Sequence, residues 1–213
     1  MTRIVVLLLW LVSATSLAAQ GNHGGTDQLP PEGYGRLNQN DLSLRLRTNE
    51  LEVRFIPLDQ RVLRLLARDA YQSLVGLVRS RRASIDSVGN LTGVSRPGLA
   101  LVSYFALSDR ARIDPQTLTV MVRNRVFQPL GIVPMSPRFS AQQLNVREQV
   151  SGIYLFEEDL PVDDSFTISY NGLTSDDWQG KQRDLDRERA RVAARARSAV
   201  ADSTRTDSGA ASR

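Results

Sequence analysis

Between residues 42 and 178 the chain changes its hydrophobic period twice, and this limits its folds more than any other feature. Leu42, Leu44 and Leu46 alternate with Ser43, Arg45 and Arg47, and after Thr48-Asn49 the apolar set moves to Leu51, Val53 and Phe55. A one-residue phase change across a turn or bulge is the mark of two short amphipathic strands, and the charges on their other face suit an edge position. Pro57 ends that pattern and a helical period takes over. Asp59 caps a short helix with Val62, Leu63, Leu65 and Leu66. Asp69, with Gln72 in a capping box, begins a longer one with a stripe of Tyr71, Leu74, Val75, Val78, Ile85 and Val88. Asn90 and Gly93 mark its exit.

After Gly93 the period returns to two. LALVSYFAL (99–107) is apolar on both faces and belongs in the middle of a sheet. TLTVMVRNRVF (117–127) reads as one strand, with Leu118, Val120, Val122 and Val126 on one face and Thr119, Met121, Arg123 and Arg125 on the other. A short strand lies in LGIVPMSP, followed by GIYLF and by SFTISYNGL, where Phe166, Ile168 and Tyr170 face inward. Short strands separated by Pro and Gly point to a mainly β fold, an antiparallel sandwich with helices inserted over residues 58–90.

The chain's two ends differ from this middle. Arg3, the apolar run Ile4–Val12 and the small residues ending at Ala18-Ala19 form the pattern of a secretory signal peptide over 1–19. Nine apolar residues make a helix of about 14 Å, half of a hydrocarbon core of about 30 Å. A cleaved leader, a periplasmic or secreted protein and no integral membrane span are therefore expected. Residues 20–41, rich in Gly, Asn and Pro, read as a flexible leader. Residues 179–213 read as a basic tail, helical to about Val200 with Asp184/Arg187, Asp186/Arg189 and Glu188/Arg191 at i,i+3, then disordered. The single domain spans 42–178, a size that can bury a core.

Composition removes several chemistries. With no cysteine, thiolate zinc sites, thiol nucleophiles and disulfides are excluded. The one histidine, His23, lies in the leader, so the domain has no Ser-His-Asp arrangement. No phosphate-binding glycine loop is present, and no cofactor is expected. Of 27 basic residues only Lys181 is a lysine; the tail holds nine Lys/Arg against five acids, while residues 20–178 hold 17 against 18. The high isoelectric point thus belongs to the tail. Export argues against a nucleic-acid partner and for weak contact of 179–200 with an anionic surface.

Five carboxylates, Glu157, Glu158, Asp159, Asp163 and Asp164, interrupt two apolar runs. Read as a hairpin connection they are solvated turn residues, Glu157 and Glu158 pointing to opposite sides of the sheet. Read as a site they are calcium candidates, since that ion takes six to eight oxygens, although EF-hand spacing is absent. Arg123, Arg125 and Trp178 are candidates for an interaction patch; each also has a plain structural reading, as a solvated strand face or the closure of the domain base.

The block from LALVSYFAL to TISYNGLTSDDW resembles the latter half of immunoglobulin-like domains in uncharacterised secreted bacterial proteins, in which strands of the form G-x-Y-x-F and F-x-x-x-Y close the sandwich. The resemblance implies an immunoglobulin-like sandwich and, by analogy, an envelope or binding role. The expected function is an exported, non-catalytic interaction module with an unknown protein or cell-envelope partner. Two alternatives stand beside it: a calcium-dependent adhesion domain using 157–164, and a hydrolase working with carboxylates alone.

Overall fold

The structure, a computed structural model, describes residues 29–210, with side chains to Ala201. The expected signal peptide, the first part of the leader and His23 lie outside the described residues. About 36% of the chain is helical and about 30% is strand, so the fold is mixed rather than mainly β. The strands form antiparallel sheets, as expected. The balance shifts because the strands are short and the last helix is long.

The first sheet begins with a hairpin. Strand β1 (Leu44–Arg47) pairs with β2 (Leu51–Pro57), setting Leu44 opposite Phe55 and Leu46 opposite Val53. The turn between them shifts the apolar phase by one residue so that both strands bury the same face. β2 continues the sheet into β3 (Gly98–Ala106), whose even-numbered residues are buried and odd-numbered ones half-buried. Next comes β9 (Gln149–Phe156) and then β7 (Gly131–Pro134), in the order β1-β2-β3-β9-β7. The run that is apolar on both faces thus occupies the centre, and β1 the edge.

The second sheet has the order β11-β10-β5-β6, with β5 (Thr119–Val122), β6 (Arg125–Phe127), β10 (Thr167–Tyr170) and β11 (Leu173–Ser175). The single strand expected over 117–127 is instead a hairpin. Val122 pairs with Arg125, Arg123 turns the chain at φ 52°, and the apolar phase moves from Val122 to Phe127. Val126 is therefore exposed while Phe127 is buried. A further hairpin at Asn171-Gly172 joins β10 to β11, with both turn residues at positive φ as a tight two-residue turn requires. A small ribbon pairs β4 (Ala111–Arg112) with β8 (Gln143–Leu144).

Aromatic rings join the two sheets. Tyr104 of β3 lies 5.5 Å from Tyr170 of β10, and Phe55 of β2 lies 6.2 Å from Phe166. β9 and β10, which the sequence resemblance paired, belong to opposite sheets. The helices that link β2 to β3 cross the outer face of the first sheet. The short α2 (Gln60–Leu63) is capped by Asp59, whose side chain accepts from the Arg61 N–H at 2.8 Å. The long helix expected from Asp69 begins at Arg68, without a side-chain cap, and breaks at Arg81 into α3 (Arg68–Ser80) and α4 (Arg82–Thr92). After the break Ile85 is buried, and Val88 presses on Gly131, where a larger residue would collide.

The ends differ most from expectation. Residues expected in the leader are held in place: Leu37 bridges to Leu66, and Gly35 lies so close to the Leu65–Leu66 backbone that a Cβ has no room. The helix α1 (Gln39–Leu42) then delivers Leu42, fully buried, to the core. The last helix, α5, runs from Trp178 to Ala210, beyond the Val200 limit expected. Its first half is docked rather than solvated: Trp178, Leu185 and Val192 are buried, and so is Glu188. Among the described residues no helix is long and apolar enough to cross a membrane.

Candidate functional site

The acidic stretch is a connection between the two sheets. Residues 157–166 leave β9 in one sheet and enter β10 in the other, so the expected solvated hairpin is absent. Leu160, Val162 and Phe166 alternate with the charges and are buried, which pulls the segment across the end of the sandwich. Gly98 lies beneath it, and a Cβ there would press into the Glu158 carbonyl oxygen. The chain leaves its strand at Phe156, so strand alternation does not separate Glu157 from Glu158.

Arginines from elsewhere answer these carboxylates. Arg125 reaches Glu158 at 2.5 Å and Glu157 at 3.8 Å, with its guanidinium 4.7 Å above the Phe127 ring. Arg123 approaches Asp164 at 3.6 Å. Asp163, the least exposed of this group of pairs, bridges Arg61 of α2 at 2.8 Å and Arg189 of α5 at 2.5 Å. Arg61 also grips Asp59 and the Leu160 carbonyl oxygen. Its guanidinium is held more firmly protonated than an ordinary arginine, chiefly by the hydrogen bond to Asp59. Four of the five carboxylates face guanidinium groups, Asp159 makes no ion pair among the described residues, and among those residues no group of three or more His, Cys, Asp or Glu is arranged to hold a metal ion.

The candidate interaction patch of Arg123, Arg125 and Trp178 also resolves differently. The two arginines flank one hairpin turn and pair with the connection. Trp178 has no exposed surface: its ring sits 4.7 Å from Phe166, and its indole N–H donates to the Val162 carbonyl at 3.2 Å. It closes the base of the domain.

At the other end of the second sheet lies a cleft of about 770 Å³, formed by residues that sequence reasoning passed over. The β4–β8 ribbon places Arg112 opposite Gln143, so both side chains project on one side. Asp114 caps the 3-10 turn Pro115–Thr117, accepting from the Gln116 N–H at 3.3 Å. Thr117 Oγ1 donates to Asn171 Oδ1 at 2.7 Å, fixing the β10–β11 turn against that cap. A second 3-10 turn, Pro137–Ser140, brings Phe139 inward beside Gln142.

Behind the rim stand three buried tyrosines. Tyr104 and Tyr154 share a hydrogen bond between hydroxyls at 2.6 Å, and Tyr154 Oη donates to the Pro115 carbonyl at 3.1 Å. Tyr170 Oη accepts from the Asp114 N–H at 3.0 Å. Burial pushes the ionisation of all three above the ordinary phenol range. They are neutral hydrogen-bond partners that anchor the Asp114-Pro115 turn on the cleft rim from behind. Phe139 closes the cluster at 6.2 Å from Tyr104 and 6.4 Å from Tyr154.

The cleft thus has an anchored rim of one guanidinium, one carboxylate and several amides. Arg112, Gln116, Gln142 and Gln143 are exposed, and among the described residues their side chains make no hydrogen bond or ion pair. Such convergent, unengaged polar groups over an aromatic wall can hold a polar ligand by hydrogen bonds. The Asn-Gly turn at 171–172 and the Asp-Pro pair at 114–115 are the sequence signals that mark these loops. Comparisons with protein-family models, with curated proteins and with solved structures each find no match.

Proposed function

We propose that this chain is an exported, non-catalytic interaction module of the cell envelope that holds a polar ligand or partner loop in the cleft beside Arg112, Asp114, Gln142 and Asn171. The single observation that carries the reading is the set of unengaged polar side chains, Arg112, Gln116, Gln142 and Gln143, gathered on one rim that the tyrosine cluster behind it anchors by hydrogen bonds. At the other end the charges of the connection are largely paired with arginines from other elements; here the rim side chains have no such partners. The immunoglobulin-like reading fits the same picture, since two antiparallel sheets joined by aromatic contacts leave binding to the loops at their ends. The secretory pattern of residues 1–19 and the lack of cysteine support a periplasmic or secreted location. A glycosidase-type hydrolase asks for two carboxylates flanking the substrate, and the cleft lining holds one.

A photo-crosslinking residue at Gln142 tests this in cells. It gives an adduct in the envelope fraction that Arg112→Ala in the same chain abolishes, whereas the same probe at Leu91, which is 84% exposed on α4, gives none. Equal adducts from both positions, or adducts from neither Gln142 nor Gln116, would overturn the assignment.

A further inference from the structure

We infer that the outward ridge of α5 is a peripheral docking surface for anionic phospholipid, separate from the cleft. The inward face of this helix is consumed by the domain through Trp178, Leu185, Glu188 and Val192. That fixes which residues are left outside: Arg183, Arg187, Arg191 and Arg197 are all exposed. At 100° per residue they fall within one side of the helix, along a line of about 21 Å at 1.5 Å per residue.

Two of these arginines have ion-pair partners, and neither is hidden by them. Arg187 pairs with Asp184 at 3.0 Å and Arg191 with Glu188 at 3.7 Å, yet their side chains remain 67% and 66% exposed. Arg197 bonds only to the Ala193 carbonyl of its own helix. Arg183 makes no ion pair among the described residues. The two aspartates nearby are also engaged, Asp184 with Arg187 and Asp186 with Arg189 at 2.7 Å.

A pinned helix carrying four guanidinium groups on one side, three of them about one turn apart and the fourth six residues further on, matches an extended array of phosphates. It does not match a single compact anion. Arginine binds phosphate through paired N–H donors and keeps its charge under all ordinary conditions. With Trp178, Leu185 and Val192 already buried against the domain, the ridge itself offers guanidinium groups rather than an apolar stripe to insert between acyl chains. The contact is therefore electrostatic, on the headgroup surface and sensitive to salt.

Sedimentation of the purified mature protein with vesicles tests the assignment. Phosphatidylglycerol–phosphatidylcholine vesicles bind it and pure phosphatidylcholine vesicles do not. Each ridge Arg→Gln change lowers the partition coefficient about five-fold, so Arg187→Gln with Arg191→Gln lowers it about 25-fold. Arg96→Gln, exposed but off the ridge, leaves it unchanged, and an unchanged melting temperature confirms that the variants fold. Equal binding to neutral vesicles, an equal loss for Arg96→Gln, or retention on DNA without binding to anionic vesicles would each overturn it.

Discussion

Replacing Glu188 with alanine tests whether the last helix belongs to the fold. Glu188 is 2% exposed. Its carboxylate accepts from Arg195 Nη1 at 2.8 Å and Nη2 at 3.4 Å, and from the Arg36 backbone N–H at 3.1 Å. Arg195 in turn donates to the Tyr34 carbonyl oxygen. Glu188→Ala leaves the part-buried Arg36 N–H without its acceptor, at about 1–3 kcal/mol. It also strips Arg195 of its counter-ion. Removing one partner of a fully buried pair costs about 3–5 kcal/mol, but Arg195 is 24% exposed and keeps Tyr34, so only part of that applies. Alanine returns a few tenths as a better helix former. The net loss is about 3 kcal/mol, a fall in melting temperature of roughly 6–12 °C for a chain of this size. Urea unfolding followed by Trp178 fluorescence measures it directly, because that indole is buried at the start of the helix. Asp184→Ala is the control: its side chain is 70% exposed and its i,i+3 pair is worth under about 0.5 kcal/mol. If Glu188→Ala costs no more than the control, the helix is not docked as described.

Asp163→Asn weakens the joint between α2, the connection and α5 by about 1–2 kcal/mol, and a double-mutant cycle with Arg189→Gln gives a coupling above about 0.5 kcal/mol. Alkaline pH destabilises the protein. The folded-state pKa values of Tyr104, Tyr154 and Tyr170 lie above their unfolded value near 10, so the stability they contribute is full below about pH 10 and declines as pH rises beyond it. Phenolate absorbance from Tyr104 and Tyr154 appears only as the chain unfolds, and Tyr104→Phe removes part of the dependence. Millimolar calcium and its chelation leave the melting temperature unchanged, because Glu157, Glu158, Asp163 and Asp164 are paired with arginines and only Asp159 is left without one; a rise with calcium would restore the adhesion alternative.

Much of the fold was legible where one physical signal dominated. The phase shift at Thr48-Asn49 marked the first hairpin, and the doubly apolar run at 99–107 marked the central strand. The same kind of shift occurs at Arg123-Asn124, but an arginine at positive φ is an unusual turn residue and the run read as continuous. The Asn171-Gly172 turn carries a strong hairpin signature, which lay hidden at the end of an apolar stretch. The docked helix was missed for a different reason. Its buried stripe runs Trp178, Leu185, Glu188, Val192 and Arg195 at spacings of seven, three, four and three, but two of those positions are charged. A reading by hydrophobicity alone finds too few apolar residues, because a buried ion pair fills the gaps. The cleft was invisible for a third reason: Arg112, Gln142 and Asn171 come together only through the β4–β8 ribbon and two 3-10 turns, which have no periodicity.

Backbone NMR shift mapping during titration with soluble envelope fragments tests the binding face most directly. The perturbed amides are expected to gather at 112–116, 140–143 and 171, leaving 157–164 unmoved. Perturbations centred on Glu157–Asp164, or scattered evenly over both ends of the sandwich, would contradict that placement.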